Sequence, residues 1–212
     1  MKLAYVTVIG AISAISAIPT STSPCAPDET TRSCPTKTIP NVIANFDDVP
    51  AHFPLPTPYH YLHYANLTVS PALPKLIPPS LPNYGLSGPY ADLYAVKPHL
   101  SIDDTPSTSF DLHNVYVGCV SAKNHTPIAC RPYIQCATPI GMEGNEGPLQ
   151  PQYKPNSAGG GSTLLHVQVG FTYLTYCDFR VVESALAFPE TLLLTDGFNY
   201  TIREGERGFC CA

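Results

Sequence analysis

The chain has 212 residues, 11 basic against 16 acidic side chains and a formal charge of −5, and a mildly acidic sequence without a basic patch does not suit nucleic acid or an anionic membrane surface as a partner. Its 24 prolines lack the amide hydrogen that helix interiors and inner strands use, which leaves little room for long helices. The length suits one sizeable hydrophobic core rather than two.

Residues 1–20, MKLAYVTVIGAISAISAIPT, open with one lysine and continue as a short apolar run ending in small residues. This pattern predicts a secretory signal peptide over residues 1–17, cut near Ala17. The run is short for a membrane anchor, and no later stretch reaches the ~20 apolar residues of a spanning helix, so an exported protein outside the membrane is expected. Residues 18–40 are rich in Ser, Thr and Pro and predict an extended arm, because such a composition buries too little apolar area to offset chain entropy. A single folded domain is expected over residues 41–212.

From Asn41 onward, runs rich in β-branched and aromatic residues alternate with proline and glycine: 42–46, 59–69, 91–96, 109–120, 163–182 and 191–202. Each predicts β structure. In the fourth run, alternation puts Phe110, Leu112, Asn114 and Tyr116 on an expected core face and Asp111, His113, Val115 and Val117 on the other. In the fifth, Leu165, Val167 and Val169 oppose His166, Gln168 and Gly170. Sheets with one wet face need a second layer over the dry one, so the expected fold is all-β, a β-sandwich or jelly roll with a disulfide-stapled N-terminal arm. Residues 141–162, rich in glycine and proline and without periodicity, predict a long surface loop.

All eight cysteines, Cys25, Cys34, Cys119, Cys130, Cys136, Cys177, Cys210 and Cys211, lie beyond the expected cut, and an even count in an exported chain predicts disulfides. Cys25 with Cys34 would staple the arm to itself, and Cys119 is expected to pair with Cys130 or Cys136. The adjacent Cys210 and Cys211 are expected to tie the tail to two places, Cys177 among them. Sequons at Asn66, Asn124 and Asn199 add candidate N-glycosylation sites and predict positions facing water.

The stretch YHYLHY, read as a strand, puts Tyr59, Tyr61 and His63 on one face and His60, Leu62 and Tyr64 on the other. Histidines on opposite faces do not chelate one ion. Ordinary sheet packing is the plain reading; a face of Tyr59, Tyr61 and His63 also has the makeup of a sugar-stacking surface. Adjacent acids diverge along a strand, so neither Asp47-Asp48 nor Asp103-Asp104 supplies the opposed acid and base of glycoside hydrolysis. Asp47, Asp48 and Asp196 would converge on a structural calcium if the first and last strands are neighbours. No serine elbow, zinc helix, phosphate loop or dinucleotide fingerprint occurs, and no catalytic residue is assigned. An enzyme assembled from distant strands would draw on His113, His166 and Asp111.

Asn45-Phe46-Asp47-Asp48, Pro58 through Tyr64, Phe110-Asp111-Leu112 followed by Tyr116-Val117-Gly118-Cys119, and Leu193 through Tyr200 span most of residues 41–203. Together they resemble the motifs of a loose group of small secreted fungal proteins with exported bacterial relatives. Tyr61 stands where that group usually has glycine, and Thr195 where it more often has leucine or isoleucine. The resemblance implies a β-sandwich similar to galactose-binding-like or lectin-like modules, with calcium tying the ends of the domain. Small cysteine-rich secreted fungal proteins are often host-directed effectors or cell-wall-associated proteins, so the expected function is an effector or virulence-associated glycoprotein, secreted to the cell wall or host apoplast, that binds a glycan or host surface component without turnover. A polysaccharide-active hydrolase or lyase and a structural cell-wall or spore-surface protein are the alternatives.

Overall fold

A computed structural model describes residues 37–73, 75–77, 79–80, 82–88, 99–102, 108–138, 147–156 and 161–204. The expected signal peptide, most of the arm, the 91–96 run, Asp103-Asp104, Cys25, Cys34, Cys210 and Cys211 lie outside the described residues. In chain order the strands are β1 (Lys37–Ala44), β2 (His63–Ala65), β3 (Thr68–Pro71), β4 (Leu76–Ile77), β5 (Asn83–Ser87) and β6 (His99–Ser101). They continue as β7 (Thr108–Ser121), β8 (Cys130–Ala137), β9 (Ser162–Thr163), β10 (Leu165–Leu174), β11 (Tyr176–Ser184) and β12 (Thr191–Glu204).

Strands β10, β7, β12, β5 and β3 lie side by side in that order, and β1 pairs with the second half of β12. A four-stranded sheet runs β2, β6, β11, β8, and β4 and β9 make a short parallel pair. All pairings in the two larger sheets are antiparallel. One buried cluster takes Phe110, Val117, Phe198 and Tyr200 from the first sheet and Tyr64, Leu100, Ile134 and Phe179 from the second. Each such side chain contributes roughly 1.5–3 kcal/mol by leaving water. The protein is thus all-β, with two antiparallel sheets contributing to a common core. Among the described residues, no helix is long and apolar enough to cross a membrane.

Long β runs survive as strands where one face stays apolar, but their parity does not run straight through. Between the pairs Asp196–Tyr116 and Asn199–Asn114, β12 carries one extra residue; between Asn199–Asn114 and Tyr200–Leu112, β7 carries one extra. The two bulges compensate, with Gly197 taking φ +53° at the first. On β7 the core side chains are Val115, Val117 and Cys119 on one side of the bulge and Phe110 and Leu112 on the other. The expected core face of Phe110, Leu112, Asn114 and Tyr116 is corrected accordingly. Val167 and Val169 are buried while His166, Gln168 and Gly170 are exposed, as the alternation in β10 predicts.

Three further expectations change. Strand β1 begins at Lys37, inside the stretch read as an arm, because its backbone pairs with β12 and needs few apolar side chains to do so. The runs 59–69 and 163–182 each break between the two sheets, at Asn66 (φ +57°) and at Thr175, next to Tyr173–Leu174 with Tyr173 at φ +55°. Part of the 141–162 loop is anchored: Leu149 and Tyr153 exchange backbone hydrogen bonds with Ile134 and Cys130 of β8, and Tyr153 is buried.

Cys119 is bonded to Cys130, joining β7 of the larger sheet to β8 of the smaller, and this is one of the two partners the sequence left open. Cys177 is bonded to Cys136, its register partner across β11 and β8, so it is not a partner for the tail.

Candidate functional site

Residues 59–62 form a tight hairpin turn, not a strand. The Tyr59 amide donates to the Leu62 carbonyl at 2.8 Å and the Leu62 amide to the Tyr59 carbonyl at 3.1 Å. His60 and Tyr61 between them have φ +46° and +74°. Two consecutive left-handed residues mark the type I′ turn that suits antiparallel strands and favours Asn-Gly. A side chain with a Cβ costs roughly 1–2 kcal/mol per residue in this conformation, so His-Tyr opposes the backbone it occupies.

Tertiary contacts impose the turn. Tyr59 is buried, stacked on Phe46 at 5.8 Å and edge-on to Tyr64 at 5.7 Å. Its hydroxyl donates to Asp48 Oδ1 at 2.5 Å, and burial, followed by that bond to Asp48, raises its pKa well above the usual phenol value, so it stays protonated. The Tyr200 hydroxyl donates to the His60 carbonyl at 2.6 Å, and Tyr64 donates to the Tyr200 oxygen at 3.3 Å. His60 Nε2 lies 3.7 Å from Asp48 Oδ2. Beneath, the Asn83 side-chain amide donates to the carbonyls of Phe46 at 3.2 Å and Val49 at 2.9 Å, fixing the Asn45–Asp48 segment. What projects from this framework is Tyr61, 52% exposed. An open cleft of about 510 Å³ is lined by Pro54, Leu55, Thr57, Tyr64, Asn66 and Ser87 among others.

The expected common face of Tyr59, Tyr61 and His63 does not form. The turn ends the alternation at Leu62: Tyr59 enters the core, Tyr61 caps the turn, and His63 lies in β2 opposite Ser101, itself opposite Tyr176. Around Tyr176 the smaller sheet carries polar aromatic pairs that the sequence reading did not single out. His99 lies 5.0 Å from the Tyr176 ring, and the Arg180 guanidinium is 3.9 Å from the Tyr133 ring centre. Only cross-strand register brings these residues together, so no local sequence signal marks them.

The acidic candidates divide. Asp47 Oδ1 accepts the Asn83 amide at 3.1 Å, while Asp48 serves Tyr59 and His60. Asp196 is buried; its oxygens accept the Ser80 hydroxyl at 3.0 and 3.1 Å and the Gly197 amide at 2.7 Å. Burial pushes its pKa up to about 7, against the pull of the Ser80 and Gly197 bonds, with the charge of Asp47 adding to the rise. Among the described residues, no group of three or more His, Cys, Asp or Glu side chains is arranged to hold a metal.

The three groups considered for catalysis have separate partners. His113 Nε2 is 2.8 Å from Thr201 Oγ1, Asp111 takes Nε and Nη2 of Arg203 at 2.7 Å each, and the His166 ring lies 4.7 Å from that of Tyr116. Of the sequons, Asn66 and Asn124 are exposed. Asn199 sits within β12 between β1 and β7, half-buried, with a buried Oδ1 that lacks a hydrogen-bond partner.

No family model, curated protein or solved structure matches the chain.

Proposed function

We propose that this is a secreted glycoprotein that recognises an extracellular glycan or a glycan-bearing host surface component, with Tyr61 as its stacking ring, in an effector or virulence-associated role. One observation carries this reading: a half-exposed tyrosine is held at φ +74°, where glycine would be the relaxed choice. A phenol ring joins apolar area to a hydroxyl, the combination that suits the apolar face and polar rim of a sugar. His60 and Asp48, both partly exposed beside it, supply groups for sugar hydroxyls. In this reading the two sheets are the layers of a lectin-like β-sandwich, Asn66 and Asn124 carry N-glycans, and calcium at Asp47, Asp48 and Asp196 is a structural ion.

The experiment is a binding screen of the secreted, disulfide-intact protein against cell-wall polysaccharide fractions and host extracts. It is run with calcium and with chelator, and released sugars are assayed in parallel. Saturable binding without sugar release is expected, and Tyr61→Gly should weaken it at least about tenfold, equivalent to about 1.4 kcal/mol, while the fold remains intact. Unchanged affinity in the variant would remove Tyr61 from the site, and sugar release would replace recognition with hydrolysis or lyase chemistry.

A further inference from the structure

We infer that the outer face of the larger sheet binds an uncharged polysaccharide chain through a row of side-chain amides from Asn199, Asn114 and Gln168. Register sets the row: Ile43 of β1 is opposite Asn199 of β12, Asn199 opposite Asn114 of β7, and Asn114 opposite Gln168 of β10. Directly opposed residues of antiparallel strands share a face. It is the face away from the core, because the chain neighbours Phe198, Tyr200, Val115, Val167 and Val169 are buried in the common cluster. The compensating bulges of β12 and β7 fall on either side of the Asn199–Asn114 pair and so bring these two amides together.

The fold makes no use of these amides. Among the described residues, none of the three forms a side-chain hydrogen bond, and Asn199 Oδ1 is buried without a partner. A buried acceptor left unpaired calls for an explanation, and turning this amide to a ligand hydroxyl would supply the missing bond. Ile43 and Gln168 at the ends of the row are exposed, and Asn114 and Asn199 are half-buried. Each amide carries two donors and a carbonyl acceptor, which suits sugar hydroxyls that both donate and accept. With neighbouring strands ~4.7–4.9 Å apart, the three amides span roughly 10 Å, the scale of two joined pyranose rings. Aromatic rings flank the row for stacking on sugar faces. At the next outward positions of β10 and β7, the exposed His166 ring lies 4.7 Å from that of Tyr116, and on the other side the Tyr173 ring lies 5.0 Å from the Arg203 guanidinium. Ionised groups around the row are paired or enclosed: Asp111 takes both nitrogens of Arg203, and Asp196 is buried with its oxygens on Ser80 and Gly197. Such a face attracts neither a polyanion nor a polycation, which selects an uncharged chain. The inference rests on glycan recognition as proposed above but uses none of the residues of the Tyr61 turn.

The test is calorimetric titration of the secreted, disulfide-intact protein with cellohexaose, laminarihexaose, xylohexaose and mannohexaose as uncharged chains, and with the hexamers of galacturonate and of deacetylated chitosan as charged ones. Saturable binding of at least one uncharged hexamer is expected, without binding of the charged pair. Asn114→Ala combined with Gln168→Ala should weaken it at least about tenfold with Tm unchanged, and Asn114→Asp, which keeps the shape and adds a charge, should weaken it too. In the unmodified protein, the side-chain amide NMR signals of Asn114, Asn199 and Gln168 should shift on saturation, a readout that needs no substitution. Absence of binding by every uncharged hexamer, unmoved amide signals, full affinity in the double variant, or an N-glycan on Asn199 found by mass spectrometry would each overturn the site. Binding of the charged hexamers alone would keep the glycan reading and overturn this one. Tyr61→Gly separates the two surfaces: lost affinity there with full affinity in the amide variants removes the sheet face and keeps Tyr61, and the reverse result keeps the sheet face and removes Tyr61.

Discussion

Two connections in this protein reverse the chain by opposite means. The Ser121–Cys130 segment is built from turn-forming residues: Asn124 Oδ1 accepts the amide of Thr126 at 3.2 Å and its hydroxyl at 2.7 Å, and the Cys119–Cys130 bond staples its base. The Tyr59–Leu62 turn contains no turn-forming residue at its centre and depends on Asp48 and Tyr200, distant in sequence, together with Tyr64 in the strand that follows it. The first is a local solution to a local problem. The second holds His60 and Tyr61 in the left-handed region and leaves one tyrosine half-exposed, a conflict between local preference and tertiary demand.

The sharpest way to break the contrast is Tyr59→Ala, which removes the ring against Phe46 and the hydroxyl on Asp48. A loss of about 3–5 kcal/mol in urea unfolding is expected, as for other buried aromatic truncations; a loss under 1 kcal/mol would mean that the turn forms without its support.

Asp196 tests the same long-range region through pH. Its carboxyl releases a proton near its ordinary value of 3.8 when unfolded but near 7 when folded, so between these values the folded state holds the extra proton. Stability from this group therefore falls as pH rises from about 4 to about 7 and levels off above, by at most about 4 kcal/mol. Unfolding midpoints should be higher at pH 5 than at pH 8, and Asp196→Asn should flatten that difference; an unchanged slope in the variant would assign it to other groups.

Replacing Cys119 and Cys130 together by alanine probes the local connection and should cost about 3 kcal/mol for a loop of this size, read from the denaturant midpoint. The smallest effect has the opposite sign. Tyr61→Gly relieves the left-handed strain and should stabilise the fold by about 0.5–1 kcal/mol, visible as a slightly raised Tm.

Much of the architecture was legible because period-two alternation and proline punctuation report directly on strands. The long runs that became β7 and β12, and the dry and wet faces of β10, are of this kind. The paired bulges at β7 and β12 were not legible, since one inserted residue exchanges the two faces without leaving a compositional mark. Nor was the crossing at Thr175, where an unbroken β-forming run serves two sheets in turn. At the candidate site, aromatic content marked Tyr61 as worth weighing, yet the strand assumption gave it the wrong neighbours. Ser80, which holds Asp196, lies in a proline-rich connection, and Asn83, which holds the Asn45–Asp48 segment, opens β5; neither carries a signal of its own.

The place of β12 in the larger sheet sets an order on biosynthesis. This strand, paired with β7, β5 and β1, is the last of those described, so the other three lack their common neighbour until residue 204 has been made. Cross-strand contacts at such long sequence separation form slowly, and the chain emerges with exposed strand edges that only its final segment can cover. A nascent chain stopped before Thr191 has no centre around which this sheet can assemble.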